Sequence, residues 1–466
     1  MQRFPDPRGR SPERLYSPAE IVRSGLCIGC GSCAAAHPAA SMGWDRHGFL
    51  KPAGPTEWYE AASEQLAQRC PFVPGALDED RIAGERFPKA PAQDSLIGRF
   101  EAAYVGHVAE EDFRRRGSSG GLTNWVAAEL LRTGAVDGVA HVVPTDPHDA
   151  GKFFDYQIAR SAEELQGGAK SRYYPVDLSS ALLEIRATPG RYAIVAVPCF
   201  IKAIHLLRRA DPLISDRVTH TLGLFCGHQK SAAMVESFAW QLKRELGEVR
   251  ALDYRIKDES RPANWYRAHL DLEDGASAEQ DWWHLADGDW GAGYFQNPAC
   301  NWCDDVVAET ADIAFGDAWL EPYSSDGRGT NAVIVRTKEM RDLIEKARAD
   351  GRLQLESVGA DFVIQTQAAG LRHRREGLAY RLTWRRRGII PIKRVSASRR
   401  LPVRRKLVYR LRYSIARWSS PFFRVARALH VRGLYLAWAR SILRLYQAVA
   451  WSRGPLGRLF DALSPR

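Results

Sequence analysis

The tightest constraint on this 466-residue chain lies near its start, in Cys27-Ile28-Gly29-Cys30-Gly31-Ser32-Cys33. Three cysteines recur at two-residue gaps with glycines between them, and Cys70-Pro71 follows at a distance. So tight a loop can wrap three corners of a cubane iron–sulfur cluster, and a remote Cys-Pro can supply the fourth. The glycines let backbone N–H groups approach the sulfides and stabilise the more negative, reduced state. The bacterial two-cluster run continues with another Cys-Pro three residues on. Here that place holds His37-Pro38, so the spacing predicts one 4Fe-4S cluster, held by Cys27, Cys30, Cys33 and Cys70. The rival metal, zinc, usually takes two separated Cys-x2-Cys knuckles. Disulfides fit least, because nothing marks the chain as secreted.

A hydrophobic content of 45% suits a folded chain, and the length allows two or three domains. The net charge of +11 hides a division: residues 371–466 carry 25 Arg and Lys against two acids, Glu376 and Asp461. An acidic body therefore precedes a strongly basic tail. Residues 1–20 are Pro- and Arg-rich, lack the apolar segment of a signal peptide, and read as loosely draped. No run of about 18 uncharged apolar residues occurs, so no transmembrane helix is expected. The eight cysteines read as cytoplasmic thiolate ligands.

Residues 21–90 read as the small cluster module, in which Gly43 to Pro52 forms a short hairpin and Phe87 to Gln93 a Pro-rich linker. A strand, Ala102 to Val108, precedes the turn Gly117-Ser118-Ser119-Gly120-Gly121 and an amphipathic helix, Thr123 to Arg132. A Gly/Ser loop opening a helix offers free N–H groups and the positive dipole end to an anion; a plain flexible turn has the same composition. A second small-residue turn, Gly167 to Asp177, carries Lys170, Ser171 and Arg172, and a helix over Leu178 to Arg186 follows.

Strand, cysteine and helix then recur twice. A strand over Tyr192 to Val197 meets Pro198-Cys199, and one over Thr221 to Phe225 meets Cys226-Gly227, with a helix starting near Ser231. If the strands are parallel neighbours, both cysteines lie at the carboxyl edge of one sheet, where α/β folds place ligands. Cys300-x2-Cys303 forms a third knuckle, before strands Asp312 to Phe315 and Asn331 to Thr337 and a helix over Lys338 to Asp350. Spacing alone leaves two readings. Cys199, Cys226, Cys300 and Cys303 form a second thiolate set, or the first two are ordinary buried cysteines and the knuckle binds zinc or nothing.

In this order the motifs CIGCGSC, the later CP, GFLKP, GSSGGLTNWVAAELL, GGAKSRYYPVD, VAVPCFIKAIHLL, GLFCGHQKS and CNWCDDVVAETADIAFGDAW resemble the coenzyme F-420 hydrogenase/dehydrogenase beta-subunit family, which also includes the chloroplast 7-hydroxymethyl chlorophyll a reductase. The resemblance spans roughly Cys27 to Asp350. It implies an α/β, mixed-sheet flavin-binding body with a small N-terminal ferredoxin-like iron–sulfur module and a basic helical C-terminal tail, divided at about residues 90, 180 and 370. It implies FAD behind the Ser-Gly-Gly helix start, contacted by Ser119, Gly120, Gly121, Thr123, Lys170 and Ser171, and a second 4Fe-4S cluster on the second cysteine set. Two departures stand out: Gly227-His228 where relatives often carry His-Gly, and Phe200 where many carry Gln.

These expectations describe an oxidoreductase moving electrons between a hydride donor such as coenzyme F-420, FAD and two clusters, to a partner protein or substrate. A non-catalytic electron-transfer subunit and a zinc-stabilised interaction protein are the alternatives. Hydride transfer needs stacking more than acid–base help, so no catalytic acid is assigned; His228 and Lys230 are candidate proton or anion contacts, set against plain core or surface roles. The tail interleaves arginines with aromatics, with Arg440 and Arg444 on one helical face and Leu436, Ile442, Leu443, Leu445 and Val449 around them. It reads as a peripheral anchor on the anionic inner face of a bacterial membrane, or as a helical hairpin packed on the body with its arginines in water. Nucleic-acid binding lacks any reading motif.

Overall fold

The computed structural model describes residues 14–386 and 388–463. Residues 1–13 of the segment expected to be loose lie outside the described residues. From Tyr16 on the chain is held: Tyr16 bridges to Ser63, and Ser17 opens helix Pro18–Arg23 with a capping box closed by Glu20.

An eight-stranded sheet organises the body. Its strands are β1 (Ala102–Val108), β2 (Gly138–Pro144), β3 (Phe154–Ala159), β4 (Tyr192–Ala196), β5 (Val218–Leu224), β6 (Ile313–Asp317), β7 (Asn331–Val335) and β8 (Leu353–Val358), in the spatial order β8-β1-β7-β6-β5-β4-β2-β3. The central four, β2, β4, β5 and β6, run parallel, while β3 on one side and β7, β1 and β8 on the other pair antiparallel. Parallel strands covered on both faces read as continuous apolar runs, as in Tyr192 to Ala196. The period of two then divides their side chains. Tyr192, Ile194 and Ala196 face one core with α2 (Ser179–Ala187) and α3 (Pro198–Ala210), whereas Ala193 and Val195 face another with α1 (Leu122–Arg132) and α5 (Lys338–Ala349). The expected hairpin forms from Ser41–Trp44 and Leu50–Ala53.

One sequence expectation is corrected by the structure, and several strands are added to it. The Pro-rich linker ends inside a small hairpin, Ala92–Asp94 against Gly98–Phe100, because Asp94 Oδ1 accepts the Leu96 N–H at 2.7 Å and closes a side-chain turn. Strands β2, β3 and β8 and a separate three-stranded sheet (Val249–Ile256, Arg267–Leu272, Ser277–Asp281) were not marked by the sequence pattern.

The tail forms α6 (Val403–Ala428), α7 (Arg432–Trp451) and α8 (Gly454–Leu463). It packs on the body through α4 (Ala233–Gln241): Phe423 stacks on Trp240 at 4.5 Å, and Phe422 on Trp438 at 4.9 Å inside the helical pair. Leu436, Ile442, Leu443 and Leu445 pack against this core and Val449 is buried in it, while Arg440 and Arg444 stay exposed. The tail's cations do not all meet water. Arg394 reaches Glu309 at 2.7 Å, Lys393 Asp304 at 3.4 Å and Arg375 Glu309 at 2.8 Å, all largely buried, whereas Arg427 pairs with Glu236 at 3.1 Å while its side chain stays exposed. Among the described residues no helix is long and apolar enough to cross a membrane.

Candidate functional site

The first cysteine loop needs its glycines. Gly29 has φ +80° and a Cβ there would stand 2.5 Å from the Leu50 carbonyl oxygen; Gly31 has φ +82°, with Asp177 Oδ1 at 2.8 Å from a Cβ. Both carbonyls flanking this turn are used: Lys51 Nζ donates to Cys27 O at 2.6 Å, and the Leu178 N–H to Cys30 O at 3.0 Å. Cys70 sits just past helix Glu64–Ala67 and lines one small cavity with Cys27, Cys30, Cys33, Ile21, Leu66 and Met42. Burial, with Cys27 and other neighbouring thiols adding to it, pushes Cys30 up to about 11, Cys70 to about 12 and Cys33 well above the ordinary range. Such thiols ionise in an apolar cavity only beside a compensating cation, and a bound metal deprotonates a coordinating thiol outright. The donor set and its glycine cradle fit an iron cluster.

The second set is assembled by the sheet. β4 and β5 are adjacent and parallel, Ile194 opposite Thr221 and Ala196 opposite Gly223. Cys199, in the first turn of α3, and Cys226, just past β5, therefore stand at one carboxyl edge, as the strand pattern anticipates. Asn297 caps the turn Pro298–Trp302, bringing Cys300 and Cys303 to the same place, where the Cys226 N–H donates to Val306 O at 2.8 Å. All four cysteines line one large cavity. Burial pushes Cys199 well above its ordinary range, then Cys303, Cys226 and Cys300 raise it further, followed by Cys30 of the first set. The two quartets share one core, with Cys30, Cys300 and Cys303 buried in it and Cys27, Cys33, Cys70 and Cys199 packed against it. Among the described residues no three or more His, Cys, Asp or Glu stand in position to hold one metal ion.

The same cavity runs on to the Gly/Ser turn. Ser119, Gly121, Thr123, Lys170 and Ser171 line it; Gly120 instead turns to the sheet, where a Cβ would stand 2.7 Å from Gly106 O. The turn is pinned by Ser119 Oγ donating to Thr330 O at 2.9 Å and by the Ser171 N–H donating to Ser118 Oγ at 2.9 Å. The Leu122 N–H, one of those a helix start leaves free, is taken by Asn331 Oδ1 at 3.2 Å. Lys170 pairs with Asp253 at 3.3 Å, and Arg255 forks onto Asp317 at 3.0 and 3.2 Å. A pocket with small residues at one end, cations along it and apolar walls fits a flavin dinucleotide.

Several lining residues were not singled out from sequence: Tyr173, Arg255, Trp290, Asp317 and Arg374. Trp290 explains the Gly227-His228 order in part, because a Cβ on Gly227 would clash with Trp290 Nε1. His228 stacks on that indole at 4.4 Å, and burial keeps it neutral, well below its ordinary range. Lys230, lowered to about 7 by burial, donates to Tyr294 O at 2.7 Å and lies 4.6 Å from the Trp290 ring centre.

The body is a parallel-centred α/β sheet whose carboxyl edge opens into a cleft lined by one set of four cysteines, with a small module carrying the other set docked beside it. Sequence comparison places it more closely. The family model for the N-terminal part of the coenzyme F-420 hydrogenase/dehydrogenase beta subunit matches residues 103–183, and the model for its C-terminal part matches residues 190–361. The chain belongs to this family. It is 22% identical over 332 residues to one subunit of the F(420)H(2) dehydrogenase of Methanosarcina mazei, covering 69% of this chain and 82% of the relative. It is 23% identical over 358 residues to the coenzyme F-420-dependent sulfite reductase of Methanocaldococcus jannaschii, covering 73% of this chain but only 48% of that protein. One polypeptide of the F-420-reducing NiFe hydrogenase complex of Methanosarcina barkeri superposes with a TM-score of 0.46 at 20% identity, over 61% of this chain and 92% of that one.

Proposed function

We propose that this chain is an iron–sulfur flavoprotein oxidoreductase, acting as a subunit that passes electrons between a hydride donor of the coenzyme F-420 class, FAD and two 4Fe-4S clusters, to a redox partner or substrate. The observation that carries the reading is continuity: one cavity joins the Ser118-Ser119 turn to Cys199, Cys226, Cys300 and Cys303, and one core joins Cys199, Cys300 and Cys303 to Cys27, Cys30, Cys33 and Cys70. The family membership and the reactions for which the relatives are named support it.

Bound FAD supplies the exchange of a two-electron hydride for single electrons, which the clusters carry. The chain's part is to hold and insulate. Ser119, Gly121, Thr123, Lys170 and Ser171 would hold the dinucleotide, and Arg255, fixed by Asp317, sets a positive charge on the same wall. Tyr173 and Trp290, with ring centres 4.6 Å apart, and Phe225 keep water from the inner end. The eight cysteines would hold the irons.

The tail is proposed to add an anionic membrane surface as a second partner. Outside its packed face stand Trp418, Val425, Leu429 and Leu434, with Arg417, Arg440 and Arg444 also exposed.

The test is anaerobic purification with iron, zinc and flavin analysis. About eight irons and one FAD per chain are expected, falling to about four irons in Cys33→Ser and in Cys226→Ser. Zinc in a colourless, flavin-free protein overturns the reading.

A further inference from the structure

The segment from Arg374 to Arg394 lies beyond the last residue matched by the family models, 361, and it runs along the Cys300 knuckle. Arg374 Nη1 donates to Cys300 O at 3.1 Å, and its Nη2 donates to Gly227 O. Arg381 Nε donates to Asn301 O at 2.8 Å. The Arg386 guanidinium lies 4.5 Å from the Trp302 ring centre, and Arg394 Nε meets Asp304 at 3.3 Å. Cys300, Asn301, Trp302 and Asp304 are thus each met by a different cation of one short segment.

Arg374 alone of these four lines the cavity of the cysteine quartet. It is 2% exposed, and among the described residues no carboxylate pairs with it or with the equally buried Arg381; the Arg374 guanidinium is satisfied by the two backbone carbonyls. A buried charge without a counter-ion is costly. Arg374 lines the same cavity as Cys199, Cys226, Cys300 and Cys303 and is hydrogen-bonded to the Cys300 carbonyl, so the thiolates of that quartet are the negative charge it would face.

We infer that Arg374 is the fixed counter-charge of the second cysteine quartet, a positioning residue that holds the knuckle by its carbonyls and raises the reduction potential of the cluster those thiolates carry. This rests on the cluster reading given above. Reduction adds one electron, taken from the titrant, and hence one negative charge to a buried centre. A permanent cation in a low-dielectric site favours that state. Lysine would keep the charge without the fork, and glutamine would keep a donor without the charge.

The experiment is an anaerobic redox titration of the full-length holoprotein, followed by electron paramagnetic resonance, for the native chain, Arg374→Gln and Arg374→Lys. Iron content is measured on each sample. The step belonging to the second quartet is the one that Cys226→Ser removes, and the other step serves as an internal standard. The expected result is that Arg374→Gln retains iron and moves only the second-quartet step, to lower potential, while Arg374→Lys leaves it close to native. Retained iron with both steps unmoved in Arg374→Gln overturns the proposal and leaves Arg374 a structural fastening. If Arg374→Gln loses that cluster, Arg374→Lys decides: a native potential supports the charge role, and loss of the cluster there too overturns it. A native chain without a second redox step refutes the cluster reading itself, which is a separate outcome.

Discussion

The side-chain amide nitrogen of Asn297 lies 3.3 Å from the carbonyl oxygen of Ile28, and so joins the loop of the second cysteine knuckle to the loop of the first. The same nitrogen donates to Gln229 Oε1 at 2.8 Å, while Asn297 Oδ1 accepts the Ala299 N–H at 3.0 Å. Asn297 is fully buried. Replacing it with alanine leaves a buried carbonyl without its donor and removes a cap, at a cost of about 1–3 kcal/mol. Asn297→Ala is expected to lower the urea midpoint by that amount and to reduce iron retention. Unchanged stability and iron would mean that the contact is idle.

Gly121 has φ +87°, and a Cβ there would stand 2.6 Å from the Phe113 carbonyl. The backbone term alone costs an alanine about 1–2 kcal/mol, and the clash must displace the turn. Gly121→Ala should therefore lose most of its flavin while keeping both sets of irons. Flavin release on acid precipitation, set beside iron analysis, reads this directly. Native flavin content would count against the turn as part of the flavin pocket.

Glu110 ties α1 to β8. It accepts from Trp125 Nε1 at 2.8 Å, Arg132 at 2.9 Å and Arg352 Nη2 at 3.0 Å. Hydrogen bonding from Arg352, ahead of the other contacts, holds its carboxyl at about 2 instead of 4.5. A depressed folded value means that the stabilisation is whole above the unfolded pKa and is lost as pH falls from 4.5 toward about 2. Solvent screening limits the effect to about 1 kcal/mol. Glu110→Gln should melt below the native chain at neutral pH, and the gap should close in acid. A gap that persists at low pH would assign the loss to packing.

Phe423 is 1% exposed and stacks on Trp240 across the tail–body contact. Phe423→Ala should cost about 3–5 kcal/mol and shift the tryptophan fluorescence. Near-native stability would show the tail to be loosely attached in solution.

The membrane proposal predicts that the intact chain sediments with vesicles rich in anionic lipid and is released by about 0.5 M salt, as screening demands. Leu429→Ser combined with Trp418→Ala should weaken that binding without changing the iron content. Equal partitioning onto neutral vesicles, or none onto anionic ones, removes the membrane as partner.

Much of the site was legible because its signals are local. The spacing Cys27-x2-Cys30-x2-Cys33, the glycines beside it and the Ser-Gly-Gly turn are short-range patterns, and strand–Cys–helix repeated twice implied a common sheet edge. The strand β2 escaped because Gly138 to Pro144 is an almost continuous apolar run, which periodicity alone does not separate from a buried helix segment; β3 does alternate Phe154, Tyr156 and Ile158 with Asp155 and Gln157, a signal that could have found it. Trp290 and Asn297 escaped because nothing nearby in sequence marks a residue that serves a loop far away in the chain.

The sequence by itself determined the first cysteine set, the turn that opens α1 and the division into acidic body and basic tail, and it left the second set open until β4 and β5 stood side by side. The tertiary structure alone decided where the tail's charge went. Arg394 meets Glu309 across 85 residues, and Arg374 meets the Cys300 carbonyl across 74. Whether a guanidinium faces water, a lipid headgroup or a buried thiolate depends on which surfaces pack together, and long-range packing leaves no periodic trace in the order of the residues.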